Sequence, residues 1–376
     1  MKLALIGPTY PYRGGIAHYT TLLCKALRER HQVLFCSFKR QYPAWLFPGR
    51  TDLDPSRVPL RTDCEYTIDP LNPLSWWQTF QRIRREGAQM VIFQWWVPYW
   101  AFPFAAIASL ARHHASIQVL FICHNVLPHE RHLGDVLLTR LALSQGHSFI
   151  VHTEKEQAVL EHLLPGRLVR RIAFPTYAPL ADTSLSREMA RSALGIADDQ
   201  QMLLLFGFVR EYKGLKYLLL AMPEVLSVLP KARLWIVGEF WDNPAPYQQL
   251  IHNFKIEKQV TIVNRYVANE ELPRYFRGAD VVVLPYTDAT QSAVVQLAYG
   301  FGRPVITTDV GGLREVVQEG VTGLLVPPGD SSRLAQAIVR YFQSLEPISA
   351  ADIQAATQKA FSWGRVVSLI EELAEA

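Results

Sequence analysis

Short apolar runs alternate with segments of helical periodicity along most of the chain. Strand-length apolar runs that alternate with helical patterns are typical of βαβ units, which build a mostly parallel sheet covered by helices. The sequence therefore predicts an α/β fold. In the first half we expect strands at Lys2–Ile6, Val33–Ser37, Met90–Gln94, Val119–His124 and Phe149–His152, and helices at Gly15–Arg30, Phe104–His113 and Lys155–Leu164.

A second series of the same kind follows an aperiodic, proline-bearing segment at Phe174–Leu185. Because 376 residues are many for one hydrophobic core, we predict Rossmann-like domains at residues 1–175 and 186–358, followed by a C-terminal segment at residues 359–376. Ligands of such sheets bind outside the carboxyl ends of the strands. Strands are expected at Met202–Phe206, Arg233–Val237, Val260–Val263, Val281–Leu284, Val305–Thr307 and Gly323–Val326, and a last helix at Trp363–Glu372.

The composition restricts the class of protein. Hydrophobic residues make up 49% and charged residues 19%, as in a folded globular protein, and the net charge of +4 is too small to indicate nucleic-acid binding. The four cysteines form no CxxC pair, which fits a reducing compartment. The N-terminal apolar stretch is too short for a signal peptide, and the longest apolar region, Trp95–Ala111, is interrupted by prolines. We therefore expect a cytoplasmic protein.

The loop after the first predicted strand contains Gly7, Gly14 and Gly15 and leads into a helix. A glycine pair at a helix N-terminus lets backbone N–H groups approach an anion, and the helix dipole favours the negative charge. A flexible strand-to-helix turn explains the same glycines equally well. Their spacing is not GxGxxG, and the acidic residue expected further along such a motif is missing, so an NAD-dependent oxidoreductase is disfavoured.

The loop Phe206–Gly214, after the first strand of the second series, contains Gly207, Arg210 and Lys213. Two cations and a glycine beside a strand end suit a diphosphate, whose charge must be neutralised as it leaves a substrate. Two solvated surface side chains are the alternative interpretation.

The loop Leu284–Ser292 likewise joins a strand end to a helix start. Asp288 or Thr290 is a good N-cap for the apolar helix that follows, so a structural role explains much of the pattern. The same geometry directs the N–H groups of Gln291 and Ser292 towards an anion at the edge of the sheet.

With these loops in their order, the C-terminal half closely resembles glycosyltransferase family 4, and fainter similarity at GGIAHYT and FSWGRV extends the resemblance to nearly the whole chain. The resemblance implies the GT-B fold, two Rossmann-like domains facing across a cleft, and a retaining enzyme that uses nucleoside diphosphate sugars. The matching segments are YKGLKYLLLAM, LWIVGE, ELPRYFRGADVVVLPY, GFGRPVITTDVGGLREVV and GVTGLLVPPGD.

The resemblance also implies roles for individual residues. Lys213 matches the lysine that contacts the donor phosphates, and Gly14 and Gly15 match the loop that faces the diphosphate. His124, at the end of VLFICH, matches a histidine that touches the transferred sugar, with a buried or capping histidine as the alternative. In family members the last helix crosses back onto the first domain, which would place Trp363–Glu372 there.

Two departures from the family pattern concern the donor site. The arginine expected after the glycine of the second domain's first strand falls on Phe208, so Arg210 is at best a displaced substitute. The usual glutamates, one near the transferred sugar and one that binds the ribose, fall on Ala289 and Leu297. Asp288 is the carboxylate nearest to the first of these positions.

Polar side chains beside the missing glutamates are the candidates to replace them. Gln296 is adjacent to the second glutamate position, but a shift of one residue turns a helix by about 100°, so this replacement needs a change of register. Either this chain handles sugar and ribose with Gln291, Ser292 and Gln296, or catalysis is weakened. The predicted donor contacts also include Gly207 and Thr290.

Three further segments have competing explanations. Asp52 and Asp54 form a DLD sequence like the metal motif of the other glycosyltransferase fold, but they lie among turn residues, and a solvated turn is the preferred interpretation. The aromatic segments Trp45–Phe47 and Trp95–Phe102 lie in the domain expected to hold the acceptor. Core packing is the preferred interpretation, and a sugar-stacking surface or an edge that enters a membrane interface is the alternative.

The sequence thus predicts transfer of a sugar from a donor such as a UDP-sugar to a saccharide or lipid-linked acceptor. Lys213, Arg210 and backbone amides would replace a metal ion, so neither metal nor cofactor is expected, and His124 and Asp288 complete the catalytic candidates. A GT-B epimerase, which converts the donor alone, and a pseudo-enzyme that binds nucleotide without transfer remain alternatives. We expect no nucleic-acid partner, and peripheral contact with the inner face of the membrane is a further option.

Overall fold

Two parallel β-sheets form the framework of the computed structural model, which describes residues 1–42, 49, 51–128, 132–180 and 184–375. The strands of the first sheet are β1 (Lys2–Ile6), β2 (Gln32–Phe38), β3 (Glu65–Ile68), β4 (Met90–Trp95), β5 (Gln118–Cys123), β6 (Ser148–Val151) and β7 (Leu168–Arg171). Those of the second are β8 (Gln201–Phe206), β9 (Ala232–Val237), β10 (Val260–Val263), β11 (Val281–Leu284), β12 (Val305–Thr308) and β13 (Gly323–Val326).

The strand order is β3-β2-β1-β4-β5-β6-β7 in the first sheet and β10-β9-β8-β11-β12-β13 in the second. In each sheet the first strand lies inside, and the chain builds outward from it first on one side and then on the other. This reversal occurs between β1 and β4 and again between β8 and β11. The α/β fold of two Rossmann-like domains is thereby confirmed.

Helices connect the strands and cover the sheets. They are α1 (Gly15–Arg28), α2 (Pro73–Glu86), α3 (Ala101–His114), α4 (Asp135–Leu143), α5 (Glu154–Leu163), α6 (Arg187–Leu194), α7 (Leu215–Val228), α8 (Ala245–Asn253), α9 (Leu272–Gly278), α10 (Ala293–Gly300), α11 (Leu313–Val316), α12 (Ser331–Gln343), α13 (Ala350–Ala360) and α14 (Trp363–Glu375).

Every strand predicted from the sequence is present, with ends that differ by at most one residue. The central strands β4 and β11 are buried along their whole length, as expected for parallel strands covered on both faces. The sequence did not predict the edge strands β3 and β7 or the helices α2 and α4. In the edge strands only one side is paired, and exposed polar residues interrupt the apolar run, as in the LVRR of β7.

The chain divides into two units, each with its own sheet. The first comprises Met1–Asp54, Pro59–Ala173 and Trp363–Ala376, and the second comprises Pro55–Val58 and Phe174–Ser362. Helix α14 therefore lies in the first unit, where the carboxylate of Glu371 pairs with Arg30 at 3.0 Å and with His31 at 2.9 Å.

Candidate functional site

In the second unit, the loops after β8 and β11 come into direct contact at the carboxyl edge of the sheet. Gly214 in the β8 loop has a φ of +69°, and a Cβ there would lie 1.8 Å from the carbonyl oxygen of Pro285 in the β11 loop. Only glycine permits this approach. The N–H of Thr287 also donates to the carbonyl oxygen of Tyr212 at 2.8 Å. The two loops are therefore fixed to each other where a topological reversal places the ligand sites of α/β proteins.

Lys213 lies in this loop contact and is half-buried. Its Nζ donates to the hydroxyl of Tyr286 at 2.9 Å and lies 4.0 Å and 5.2 Å from the ring centroids of Tyr286 and Tyr212. Among the residues that the structure describes, this ammonium forms no ion pair with a carboxylate. Burial lowers the pKa of Lys213, the direction expected for a cation removed from water without a counter-ion.

The start of α10 lies beside the same tyrosine. Ser292 is the N-cap residue of this helix and is buried, and its Oγ lies 3.3 Å from the hydroxyl of Tyr286. The positive end of the helix dipole is therefore linked to the ammonium of Lys213 through one phenol. The structure thus brings together Lys213 and Ser292, two residues that the sequence placed in a common site.

The β12 loop supports the residues before α10. Gly311 has a φ of +50°, and a Cβ there would lie 1.7 Å from the carbonyl oxygen of Ala289. The N–H of Gly312 donates to the carbonyl oxygen of Thr290 at 3.0 Å, and Thr290 is buried. Thr290 and its neighbour Gln291 therefore belong to a loop whose backbone is held by the β12 loop.

Arg210 is directed towards a different neighbour from Lys213. Its guanidinium carbon lies 5.5 Å from the ring centroid of Trp241, which follows β9. The ring of Phe208 packs against the same indole, with 4.3 Å between centroids. Gly207, with a φ of +102°, begins this loop at the end of β8. Phe208, packed against Trp241, therefore occupies the position where the resemblance expects an arginine.

The two expected glutamate positions hold apolar side chains, and both are buried. Ala289 is 2% exposed and Leu297 is 7% exposed. Gln296 is also buried, and its Oε1 has no hydrogen-bond partner among the described residues. Asp288 is exposed at the edge of the sheet. No carboxylate therefore stands at either position.

In the first unit, Gly14 is the N-cap residue of α1, with a φ of +112°, and Gly15 is the first residue of the helix. The DLD segment packs against this loop: the N–H of Arg13 donates to the carbonyl oxygen of Asp52 at 2.9 Å. The carboxylate of Asp54 is 3% exposed and lies 3.9 Å from Nε2 of His18. The prediction of a solvated turn is therefore wrong for Asp54, because this segment packs against the loop that contains Gly14 and the Asp54 side chain is buried there.

His124, directly after β5, is 2% exposed and belongs to a buried cluster. Its Nε2 is hydrogen-bonded to Oε1 of Gln94 at 2.7 Å, and its ring lies 4.6 Å edge-on from Tyr19 and 5.5 Å from His152. Burial, reinforced by the neighbouring His152, holds the pKa of His124 well below its usual range. The neutral imidazole is therefore the stable form, and its surroundings match the alternative of a buried structural histidine.

The aromatic segment after β4 belongs mainly to the core, as preferred from the sequence. Trp95 and Trp100 are fully buried, and the ring of Trp100 stacks on Phe38 with 4.0 Å between centroids. Phe102 is the exception and is exposed. The other segment, Trp45–Phe47, lies outside the described residues.

Sequence reasoning missed Tyr286 and Gln94. Tyr286 follows Pro285 at the end of an apolar strand, where an aromatic residue is usually interpreted as part of the hydrophobic core. Gln94 did leave a signal, since it is a polar residue within the apolar run of β4. Gln94 also explains why a glycine occupies position 7, since a Cβ on Gly7 would lie 2.6 Å from Cγ of Gln94.

Within the described ranges, no group of three or more His, Cys, Asp or Glu residues is placed to hold a metal ion. No helix in those ranges combines the length and apolar character needed to cross a membrane. Metal independence and localisation remain predictions.

Comparison with known proteins adds to this geometry. Residues 200–344 match the family model described as glycosyl transferases group 1. A D-inositol 3-phosphate glycosyltransferase of Geodermatophilus obscurus is 33% identical over 189 residues, a match that covers 48% of this chain and 41% of that relative. The chain therefore matches less than half of the length of this curated relative.

Solved structures resemble the chain over its whole length. A sucrose-phosphate synthase of Thermosynechococcus elongatus is 21% identical with a TM-score of 0.75, and the match covers 100% of this chain and 98% of that one. HepE of Anabaena, solved in complex with UDP-glucose, is 20% identical with a TM-score of 0.75, covering 100% of both chains. The second unit thus contains a glycosyl transferases group 1 domain, and the chain as a whole has the GT-B fold of two Rossmann-like domains.

Proposed function

We propose that the protein is a retaining glycosyltransferase that moves a sugar from a nucleoside diphosphate sugar to a saccharide or lipid-linked acceptor without a metal ion. The observation that carries this proposal is the ammonium of Lys213, which has no ion-pair partner among the described residues and lies where β8 and β11 end. A cation that is partly removed from water is stabilised by a bound anion, and a diphosphate is such an anion. The group 1 domain match and the UDP-glucose complex of HepE support this choice of ligand.

The proposed chemistry concerns the charge that grows on the diphosphate as the glycosyl bond breaks. Cations and N–H dipoles that are already in place stabilise such charge, and removal of one donor typically costs about 10²–10³ in turnover. Lys213 and the N-terminus of α10 at Ser292 are the groups of the second unit suited to this role. The resemblance adds the Gly14 and Gly15 amides of the first unit. Lys213 and the start of α10 would replace a metal ion.

The other predicted residues take lesser parts. Arg210, half-buried against Trp241, adds positive potential at the β9 side of the edge. Asp288, exposed at the same edge, remains the candidate carboxylate for the transferred sugar. His124 is buried and neutral, so we give it the role of supporting the loop after β5. Gln291 and Gln296 are proposed to replace the missing glutamates towards sugar and ribose.

A panel of nucleoside diphosphate sugars tests the donor. A ligand present at 100 times its dissociation constant raises the free energy of unfolding by about 2.7 kcal/mol, so the correct nucleotide stands out in a thermal-shift assay. The stabilising donor is then incubated with soluble saccharides or with lipid-linked acceptors in vesicles. We expect a glycosylated product that keeps the donor's anomeric configuration, measured by proton NMR. The proposal fails if no donor binds, or if the donor is converted to a new sugar nucleotide without an acceptor, as an epimerase would do.

A nucleotide-binding pseudo-enzyme is the second candidate, and one observation favours it. Ala289 and Leu297 are buried and apolar at the two positions where the resemblance expects carboxylates. In that case the thermal shift would appear with a nucleotide while transfer stayed absent with every acceptor. The same experiment therefore separates the two candidates.

For the acceptor side we propose peripheral contact with an anionic membrane from a cytoplasmic location. Helices α3 and α4 pack together in the first unit, and α4 turns large apolar side chains outward beside the exposed Arg140. Apolar side chains flanked by a cation suit the interface of an anionic bilayer. The exposed apolar residues are Phe102, Leu133, Val136, Leu137 and Leu141.

A further inference from the structure

Tyr286 has two roles that can be separated: its backbone is fixed, and its hydroxyl contacts charged and polar groups. Its N–H donates to the carbonyl oxygen of Leu284 at 2.9 Å, and its own carbonyl oxygen accepts from the hydroxyl of Thr308 at 2.5 Å. The side chain is 1% exposed. The phenol therefore has little freedom to move.

The hydroxyl of this fixed phenol joins two of the predicted donor-site residues. It accepts a hydrogen bond from Nζ of Lys213 at 2.9 Å and lies 3.3 Å from Oγ of Ser292, the N-cap residue of α10. A hydroxyl carries one donor and two acceptor sites, so it can accept from the ammonium and donate to the serine at the same time. The three side chains form a chain of hydrogen bonds from the β8 loop to the start of α10.

A lysine ammonium is a strongly hydrated charge on a flexible four-carbon stem, so its position is not set by its own geometry. It has three N–H donors, and the contact with Tyr286 uses one of them. The ring of Tyr286 adds a cation–π contact at 4.0 Å, which favours the charged form at a half-buried position. The phenol of Tyr212 is a second neighbour that favours the charged form of Lys213, and the ammonium still keeps an N–H donor for the oxygens of an anion.

We infer that Tyr286 is a positioning residue, which holds the ammonium of Lys213 beside the N-terminus of α10 so that a diphosphate meets a cation already in place. This inference rests on the proposed function for its ligand. It assigns a role to a residue that the family resemblance does not mark. Because the hydroxyl rather than the ring makes the hydrogen bond, removal of one oxygen atom tests it.

The test compares Tyr286→Phe with Tyr299→Phe. Tyr299 is a matched control in the same unit, since it is equally buried and its hydroxyl bonds to Oγ1 of Thr322 at 2.9 Å, away from Lys213. With UDP as the probe in calorimetry, we expect Tyr286→Phe to weaken binding about tenfold, the loss typical of one hydrogen bond to a charged group. We expect kcat to fall more than KM rises, because the diphosphate charge is largest in the transition state. Tyr299→Phe should change neither value.

A readout on the lysine itself does not depend on catalysis. The titratable groups that face Lys213 are the phenols of Tyr212 and Tyr286, and its turn also carries Arg210 and Glu211. Tyr212, which raises the pKa of Lys213, is unchanged in both variants. Loss of the Tyr286 hydroxyl removes an acceptor of the charged form, so NMR of labelled lysine should show the pKa of Lys213 lower in Tyr286→Phe than in the parent. In Tyr299→Phe the pKa should stay at the parental value.

The outcomes separate this inference from the proposed function. If the parent protein binds no nucleoside diphosphate, the proposed function fails, while the pKa comparison still decides whether Tyr286 holds Lys213. If Tyr286→Phe keeps parental UDP affinity, kcat and lysine pKa, the inference is overturned. Should Tyr286→Phe melt far below the parent, Ser292→Ala replaces it with the pKa of Lys213 as the readout, since Ser292 itself belongs to the proposed donor site. The phenol loses its serine partner in this variant, so the pKa of Lys213 should fall below the parental value. A parental pKa of Lys213 in Ser292→Ala would then overturn the inference.

Discussion

At the scale of single residues, the described structure contains ionisable groups whose pKa values are shifted because they are wholly or partly removed from water. Lys213 is stabilised by a hydroxyl and two aromatic rings, none of which carries a formal charge. His124 and His152 lie 5.5 Å apart in the first unit, and burial lowers the pKa of His152 to about 4. The histidines titrate in acid and the lysine in alkali, so the two kinds of group can be studied separately.

The histidine pair predicts a loss of stability in acid. Above the unfolded-state pKa of 6.5, His152 is neutral in both states and stability does not change with pH. As pH falls from 6.5 towards 4, the unfolded chain binds a proton that the folded chain does not, so the free energy of unfolding falls, by roughly 2 kcal/mol at pH 5 for this group. Urea unfolding at several pH values measures this slope.

The matching variants are His152→Gln, which should flatten the slope between pH 6.5 and 5, and His114→Gln, which replaces an exposed histidine and should leave it unchanged. An unaltered slope in His152→Gln would show that the buried histidine is not the group responsible.

At the scale of elements, loops that touch through backbone atoms fix the geometry of the site. Gly214 permits the β8 loop to approach the β11 loop, and Gly311 permits the β12 loop to approach the residues before α10. In both contacts the glycine backbone lies against a backbone carbonyl group of the neighbouring loop. A substitution there therefore acts on the relative placement of Lys213 and Ser292 rather than on their chemistry.

Gly214→Ala is expected to destabilise the second unit strongly. Gly195 is a matched control with a φ of +68°, close to the +69° of Gly214, but its Cβ would meet no atom within 4 Å. Gly195→Ala should cost only the left-handed backbone strain, about 1–2 kcal/mol, whereas Gly214→Ala should cost at least about 2 kcal/mol more, because its Cβ overlaps the oxygen of Pro285. Chemical unfolding measures both variants, and equal losses would contradict the close loop contact.

At the scale of the whole molecule, the sequence predicts what depends on local pattern and misses what depends on packing. The interior strands are continuous apolar runs, so β4 and β11 were located to within one residue. The missed edge strands, β3 and β7, lack such a run, as in the LVRR of β7. Donor-site candidates followed from loops at strand ends, but their assignment to ligands rests on the resemblance.

The contact of Lys213 with Tyr286 could not be predicted, because the two residues are 73 positions apart in the sequence. Only the packing of two loops brings them together, and no local sequence pattern indicates that packing. For the same reason the burial of His124 in a cluster with Tyr19 and His152 was visible only in the structure. Its position at a strand end fits both a ligand contact, which the resemblance favours, and a structural histidine. The fold thus follows from the sequence more completely than the chemistry of its edge does.

UDP binding by calorimetry in EDTA, with Lys213→Ala compared with Lys216→Ala, tests whether the ammonium of Lys213 binds the diphosphate without a metal ion. Lys216 is an exposed lysine of the same helix-start region, so its loss controls for net charge. We expect the parent and Lys216→Ala to bind UDP normally in EDTA, and Lys213→Ala to bind at least about tenfold more weakly. Parental affinity in Lys213→Ala, or loss of binding by the parent protein in EDTA, would contradict it.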